Sequence, residues 1–267
     1  MYSSIAMFRR NLVMFSHNLG QKKKGVANNF KFLEPFIKSP VYHINCQKKL
    51  FTNLKALHEM NDVLCGNVIN IGGDHSMAIG TVSSTLNNYD DAKVVWVDAH
   101  PDINTYESSN TKSYHGMPLA YLTGLQSNEN CKFIENLLPF ENLMYIGIRD
   151  IDSYEESVLR EKNIQVITVE DIRKDIPESM QKLRNFIGTS PVHLSFDVDA
   201  LDPSVMPATG TPVPNGLTLE EGKQIVDVVF KHYLVNMDIT ELNLTDFCMD
   251  KRGKSLKNFV SLFGDKL

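Results

Sequence analysis

KVVWVDAHPDIN, residues 93–104, joins a run of apolar residues to three polar groups on alternate positions. Val94, Val95, Trp96 and Val97 read as a buried strand, and Asp98, His100 and Asp102 follow at i, i+2 and i+4. In extended backbone such residues share one face. Two carboxylates and an imidazole are therefore expected to converge where this strand ends.

Further β-rich runs occupy 11–15, 67–71, 143–148, 165–168 and 192–198. Between them, 76–86, 153–162 and 177–187 have helical spacing and polar starts, and 250–267 reads as a closing amphipathic helix. This β-α-β-α rhythm predicts an α/β protein, three layers deep, with a central mostly parallel sheet between helices. No composition break, repeat or low-complexity linker divides the chain, so residues 1–267 are expected to form one domain.

A hydrophobic fraction of 42% over 267 residues suffices for a substantial core. The net charge of -5 supplies no basic footprint for nucleic acid or an anionic membrane, and the Lys22-Lys23-Lys24 run is expected to be a solvated loop. No apolar stretch is long enough to span a bilayer. Cys46, Cys65, Cys131 and Cys248 are scattered, which suits reduced thiols in an intracellular protein. The two arginines among the first fifteen residues resemble a transit peptide only faintly, and the cytoplasm is the expected compartment.

Ligands of open α/β sheets bind beyond the carboxyl ends of the strands. The strand at 67–71 is followed by Gly72-Gly73-Asp74-His75, and the strand at 192–198 carries Asp197 and Asp199. Three strand ends thus bring carboxylates and imidazoles to one edge. Any of these motifs alone would read as a capping or solvated strand end, and D-x-H-x-D alone could hold a single cation. Together they do not. Clustered carboxylates repel one another unless cations neutralise them, and a mixed imidazole and carboxylate set suits Mn²⁺. His75, Asp98, His100, Asp102, Asp197 and Asp199 are too many for one tetrahedral ion. They suit two metals that hold and deprotonate a water.

The ordered motifs GGDHSMAIGT, VDAHPDIN, HGMP, GIRDID, SFDVDALDPSVMPATGTPVPNGLT and MDITELN resemble those of the ureohydrolase superfamily, and within it the arginases. The resemblance covers about residues 11–245. It implies two Mn²⁺ per chain, one held by His75, Asp98, Asp102 and Asp197 and the other by His100, Asp98, Asp197 and Asp199. It further implies hydrolysis of L-arginine to L-ornithine and urea by a metal-bridging hydroxide. By the same resemblance Glu241 pairs with the guanidinium and His115 transfers protons at the mouth. Asn104 and Thr111 meet the substrate carboxylate, Asp152 the α-ammonium with Glu155 assisting, and Thr211 lies near the guanidinium.

The sequence departs from that pattern in places. Thr111 stands where serine is general, Leu244 follows MDITELN instead of proline, and both ends are shorter. The resemblance implies trimers or hexamers, but Glu220 occupies the position of a usual arginine and removes a basic partner from that contact. Asn215 replaces a glycine, a small change because asparagine tolerates left-handed backbone. The competing expectations are an agmatinase-like ureohydrolase of another guanidino compound, and a catalytically weak arginine-binding relative.

Overall fold

Alternate residues of the central strands leave the sheet on opposite sides, and that alternation builds the two faces of the molecule. The computed structural model describes residues 10–267 apart from Lys22, Lys24 and Gly66. The first part of the faint targeting segment and two of the three lysines of the basic run therefore lie outside the described residues. Eight strands form one sheet: β1 (Asn11–Phe15), β2 (Val41–His43), β3 (Val68–Gly72), β4 (Lys93–Val97), β5 (Leu143–Ile146), β6 (Gln165–Ile167), β7 (Val192–Asp197) and β8 (Leu234–Thr240). Their order is β2-β1-β3-β8-β7-β4-β5-β6, and every described pairing is parallel.

The α-helices are α1 (Phe30–Leu33), α2 (Leu50–Leu64), α3 (Ala78–Asn88), α4 (Pro118–Leu122), α5 (Ser153–Glu161), α6 (Val169–Lys174), α7 (Ile176–Ile187), α8 (Leu219–Phe230) and α9 (Met249–Phe263). Val95 and Val97 of β4 join a core with Leu183 of α7, Val226 of α8 and Phe259 of α9. Val94 and Trp96 face the other way, against Val82 of α3, Leu119 of α4 and Val158 of α5. The expected three layers are present, and the sheet is wholly parallel rather than mostly so.

On β7 and β8 the face toward α3 is polar. His193 and Asp238 lie 3.0 Å apart with no exposure, and Thr81 of α3 donates to Asp238 at 2.6 Å. Asn70 of β3 bonds both Asp238 and Asn236. Each buried polar group here has a partner, which burial requires. This polar alternation also explains why β8 lies outside the strands expected from sequence. The short, partly exposed β2 also lies outside those strands, because three residues carry too little pattern.

Helix boundaries follow capping chemistry. Thr168 and Thr218 close reciprocal boxes with Asp171 and Glu221 at the starts of α6 and α8. Glu220 falls in the acidic first turn of α8, where the helix dipole favours a carboxylate. Asn215 adopts φ 64°, as its replacement of glycine allows. Among the described residues, no helix is long and apolar enough to cross a membrane.

Candidate metal centre and substrate cavity

β3, β8, β7 and β4 are neighbours, so their carboxyl ends form one continuous edge. That edge gathers the residues expected from sequence, though by a different backbone path. β4 stops at Val97, and Asp98 to Asp102 turn instead of remaining extended, with Asp102 in left-handed backbone at φ 51°. β7 likewise ends at Asp197, after which Val198–Ala200 coil into a 3-10 turn whose Asp199 amide donates to Asp197 Oδ1 at 2.8 Å. The structure thus brings these residues together, but not by the shared face of an extended strand. Turns, not alternation, aim these carboxylates.

His75 begins the 3-10 turn after β3, and its ring stacks on Trp96 with centroids 4.1 Å apart. Its Nε2 is hydrogen-bonded to Ser195 Oγ at 2.8 Å. Its Nδ1 faces Asp98 Oδ2 at 3.0 Å, Asp102 Oδ2 at 3.0 Å and Asp197 Oδ2 at 3.3 Å. His100 Nδ1 faces the other oxygen of Asp98 at 3.4 Å and Asp199 Oδ2 at 3.3 Å. Two clusters result, one of His75, Asp98 and Asp102 and one of Asp98, His100 and Asp199. Asp98 belongs to both. Asp197 lies beside the first of them.

The electrostatics of this arrangement call for cations. Burial, then the charge of Asp98, pushes the Asp102 carboxyl up to about 6. Asp197 and Asp199 are raised for the same two reasons, with Asp199 adding its charge against Asp197. Burial opposes a charged His100, yet Asp199 and Asp98 outweigh it and bring the ring to about 12. His75 Nδ1 is fully buried and makes no hydrogen bond among the described residues, although three carboxylate oxygens surround it. A nitrogen so placed, with hard oxygen donors around it, fits a divalent ion.

Beside the metal clusters stands Glu241, just past β8, in left-handed backbone at φ 62° and 1% exposed. Its Oε1 accepts from the His75 amide at 3.0 Å and lies 3.3 Å from His115 Nδ1. Burial works to neutralise the His115 ring, but Glu241, then Asp102 and Asp74, outweigh it and hold the ring at about 9.

A cavity of about 260 Å³ opens over these groups. Its lining includes the buried Asp102, Asp197 and Asp199 with the half-buried His100, and also Asn104 with the exposed Thr111 and Asp152. Asn104 Nδ2 donates to Asp152 Oδ2 at 2.8 Å, while the other oxygen of Asp152 caps α5. Thr111 is exposed and accepts from the Ser113 amide. Thr211 lines the cavity, but its hydroxyl donates to Asp199 Oδ2 at 2.8 Å, so it orients a carboxylate of the metal cluster. Glu155 is 5% exposed and accepts from the Ile103 amide at 3.2 Å, tying α5 to the turn after β4.

An Arginase family model matches residues 30–246 of the chain. The chain belongs to the arginase family. Arginase of Entamoeba histolytica is 34% identical to it over 285 residues, covering 92% of this chain and 95% of that protein. Arginase of Neurospora crassa is 44% identical over 191 residues, 67% of this chain but only 53% of that protein. The chain thus spans little more than half the length of that curated relative. The crystal structure of Entamoeba histolytica arginase in complex with L-ornithine superposes with a TM-score of 0.88 at 30% identity, covering 96% of this chain and 99% of that one. Arginase from Bacillus subtilis superposes with a TM-score of 0.84 at 28% identity, covering 96% and 99%.

Arginase-family motifs did not reveal every residue that shapes the site. Ser195 sits in the quoted SFDVDALDP motif, two residues before Asp197, and fixes the far side of the His75 ring. Asp150 of GIRDID lines the cavity and lies 3.5 Å from His100 Nε2. The alternation of β7 signals Ser195, and adjacency to Asp152 signals Asp150. Lys23 is not simply solvated, since its Nζ donates to the Gly210 carbonyl.

Proposed function

We propose that this chain is an arginase holding two Mn²⁺ and hydrolysing L-arginine to L-ornithine and urea. The observation that carries the reading is one cavity with two differently equipped ends. At its buried end His100, Asp102, Asp197 and Asp199 line it, next to two imidazole-carboxylate clusters sharing Asp98, with His115 also in the lining and Glu241 3.3 Å from His115. The outer end has the Asn104-Asp152 pair. L-arginine is a cation at one end and an α-amino acid at the other, which this division matches. The related Entamoeba histolytica arginase has been crystallised with L-ornithine, the expected product.

In this reading His75, Asp98, Asp102 and Asp197 hold one ion, and His100, Asp98, Asp197 and Asp199 the other, with Asp98 and Asp197 shared. When bound, such a pair supplies Lewis acidity that makes water nucleophilic at neutral pH. Glu241 accepts the guanidinium N–H groups in charge-assisted bonds and fixes the carbon under attack. Water adds to that carbon, and the departing δ-amine of ornithine needs a proton. His115, held protonated against Glu241, is placed to supply it. At the far end Asn104 Nδ2 donates to the α-carboxylate and Asp152 Oδ2 accepts from the α-ammonium. Thr111 stands at the mouth beside them. Thr211 and Glu155 act one step back, through Asp199 and the turn after β4.

The test is urea release from L-arginine and from agmatine, side by side, after incubation with Mn²⁺. Urea from arginine alone is expected, because agmatine leaves the polar groups of the outer end unpaired. Urea from agmatine alone would keep the metal centre and overturn the roles of Asn104, Thr111 and Asp152. Silence from both, with metal bound, would favour an arginine-binding protein.

A further inference from the structure

Glu241 must present a carboxylate in one fixed direction, yet its own backbone does little to fix it. The residue sits in left-handed backbone, uncommon for a residue with a long side chain, and its Oε1 is met by the His75 amide at 3.0 Å and by His115 Nδ1 at 3.3 Å. The second oxygen is held from the opposite side of the site. Gln21 Nε2 donates to Glu241 Oε2 at 2.5 Å across 220 residues of sequence.

Gln21 is itself placed by its neighbour. The Gly20 amide donates to Asp74 Oδ2 at 2.9 Å, and the Gly20 carbonyl accepts from the His115 amide at 3.2 Å. A Cβ on Gly20 would stand 2.2 Å from Asp74 Oδ1, so only glycine lets the chain pass this close. Asp74 and His115 border the metal clusters, and the following side chain is delivered to Glu241. Opposite, a Cβ on Gly210 would lie 3.3 Å from Glu241 Oε2 and 3.5 Å from Gln21 Oε1. The glycine leaves room for both side chains.

We propose that Gln21 is a positioning residue for the guanidinium-binding carboxylate, an inference that rests on the role of Glu241 proposed above. A carboxylate has about four acceptor directions. The His75 amide and His115 meet Oε1 and Gln21 meets Oε2, which stops rotation and leaves the remaining direction for the substrate. The chemistry of the amide is suited to this. It orients Glu241 without neutralising it, whereas a lysine or arginine at position 21 would satisfy the carboxylate and compete with the guanidinium. The recognised group is a planar cation, and Gln21 acts on it through Glu241.

The experiment compares wild type, Gln21→Met, Gln21→Asn, Glu241→Gln and the Gln21→Met/Glu241→Gln double variant, all loaded with Mn²⁺. Methionine keeps the length and removes the amide, while asparagine keeps the amide but withdraws it. Calorimetry measures binding of the guanidinium cation at low millimolar concentration, and kinetics measure KM and kcat for arginine. Gln21 acts on the ligand only through Glu241, so guanidinium binding should weaken by about tenfold in both Gln21 variants, the low end of the range for one hydrogen bond to a charged group, with KM raised similarly. Metal content and melting temperature should remain those of wild type. In the Glu241→Gln background, Gln21→Met should cost nothing further. Unchanged guanidinium affinity in both Gln21 variants, or an equal loss with and without Glu241, would overturn the positioning role. If Gln21→Met fails to fold, Gln21→Asn decides alone. Unchanged affinity in Glu241→Gln would instead overturn the reading of Glu241 itself.

Discussion

At the scale of single residues, the site separates groups that hold a charge from groups that aim the holder. Ser195 does not line the cavity, yet it fixes the ring whose other nitrogen faces three carboxylates. With Nδ1 on a cation, Nε2 carries the ring proton and donates to Ser195 Oγ. Partners of this kind typically contribute about 10–100-fold to metal affinity or activity, so Ser195→Ala should weaken Mn²⁺ binding by that order. Metal titration of the purified variant reads this directly, and wild-type affinity would mean that the hydroxyl is mere filling. Asn104→Ala belongs to the opposite class. If Asn104 donates to the substrate carboxylate as proposed, the change should raise KM for arginine by about tenfold to a hundredfold, the range of one hydrogen bond to a charged group. Both metals should stay bound. Loss of metal with unaltered KM would show that Asn104 supports the turn after β4 rather than the substrate.

At the scale of elements, α5 carries a charge problem that pH exposes. Glu155 closes the capping box with Asp152 and is buried against the turn that bears Asp102. Burial first, then the charges of Asp102 and Asp152, raises its carboxyl from 4.5 to about 8. A raised carboxyl contributes stability while the folded state keeps the proton, below the unfolded value, and the contribution is lost as pH climbs through the folded value. Metal-free wild type should therefore lose stability between about pH 4.5 and 8, and Glu155→Gln should lose less across that window. Melting curves at a series of pH values test it, and parallel profiles for the two proteins would remove Glu155 as the cause. The sequence shows this element well, because Asp152 and Glu155 stand at the spacing of a cap and the apolar positions repeat helically. It shows β8 poorly. Asn236, Asp238 and Thr240 alternate on its buried face, so polar residues occupy positions where a core strand should be apolar. The residues of the two imidazole-carboxylate clusters stand out in the sequence for a related reason: chemistry concentrates unusual residues in short motifs. Their meeting at one sheet edge is also legible, but the backbone path is not, because the left-handed Asp102 and the 3-10 turn at Asp199 are backbone choices that residue spacing does not encode.

At the scale of the whole molecule, the parallel sheet sets the problem that cations solve. Placing β3, β8, β7 and β4 side by side forces Asp98, Asp102, Asp197 and Asp199 into one buried region, where each is at most 7% exposed. Folding must therefore bring together charges that repel, and the unfolded chain does not. A ligand that binds only the folded state stabilises it by about 2.7 kcal/mol when present at a hundred times its dissociation constant, and two sites contribute roughly twice that. For a domain of this size class each kcal/mol moves Tm by about 2–4 °C. Stripping the protein with a chelator should thus lower Tm by on the order of ten degrees, and returning Mn²⁺ should restore it. Magnesium, which prefers oxygen donors alone, should restore less because each cluster includes an imidazole. Chelation that leaves Tm unchanged would mean that proton sharing among the four carboxylates already relieves the repulsion. Near-complete rescue by magnesium would mean that the two histidines are not ligands. An intermediate rescue, larger for Mn²⁺, follows from the donor sets the sheet assembles.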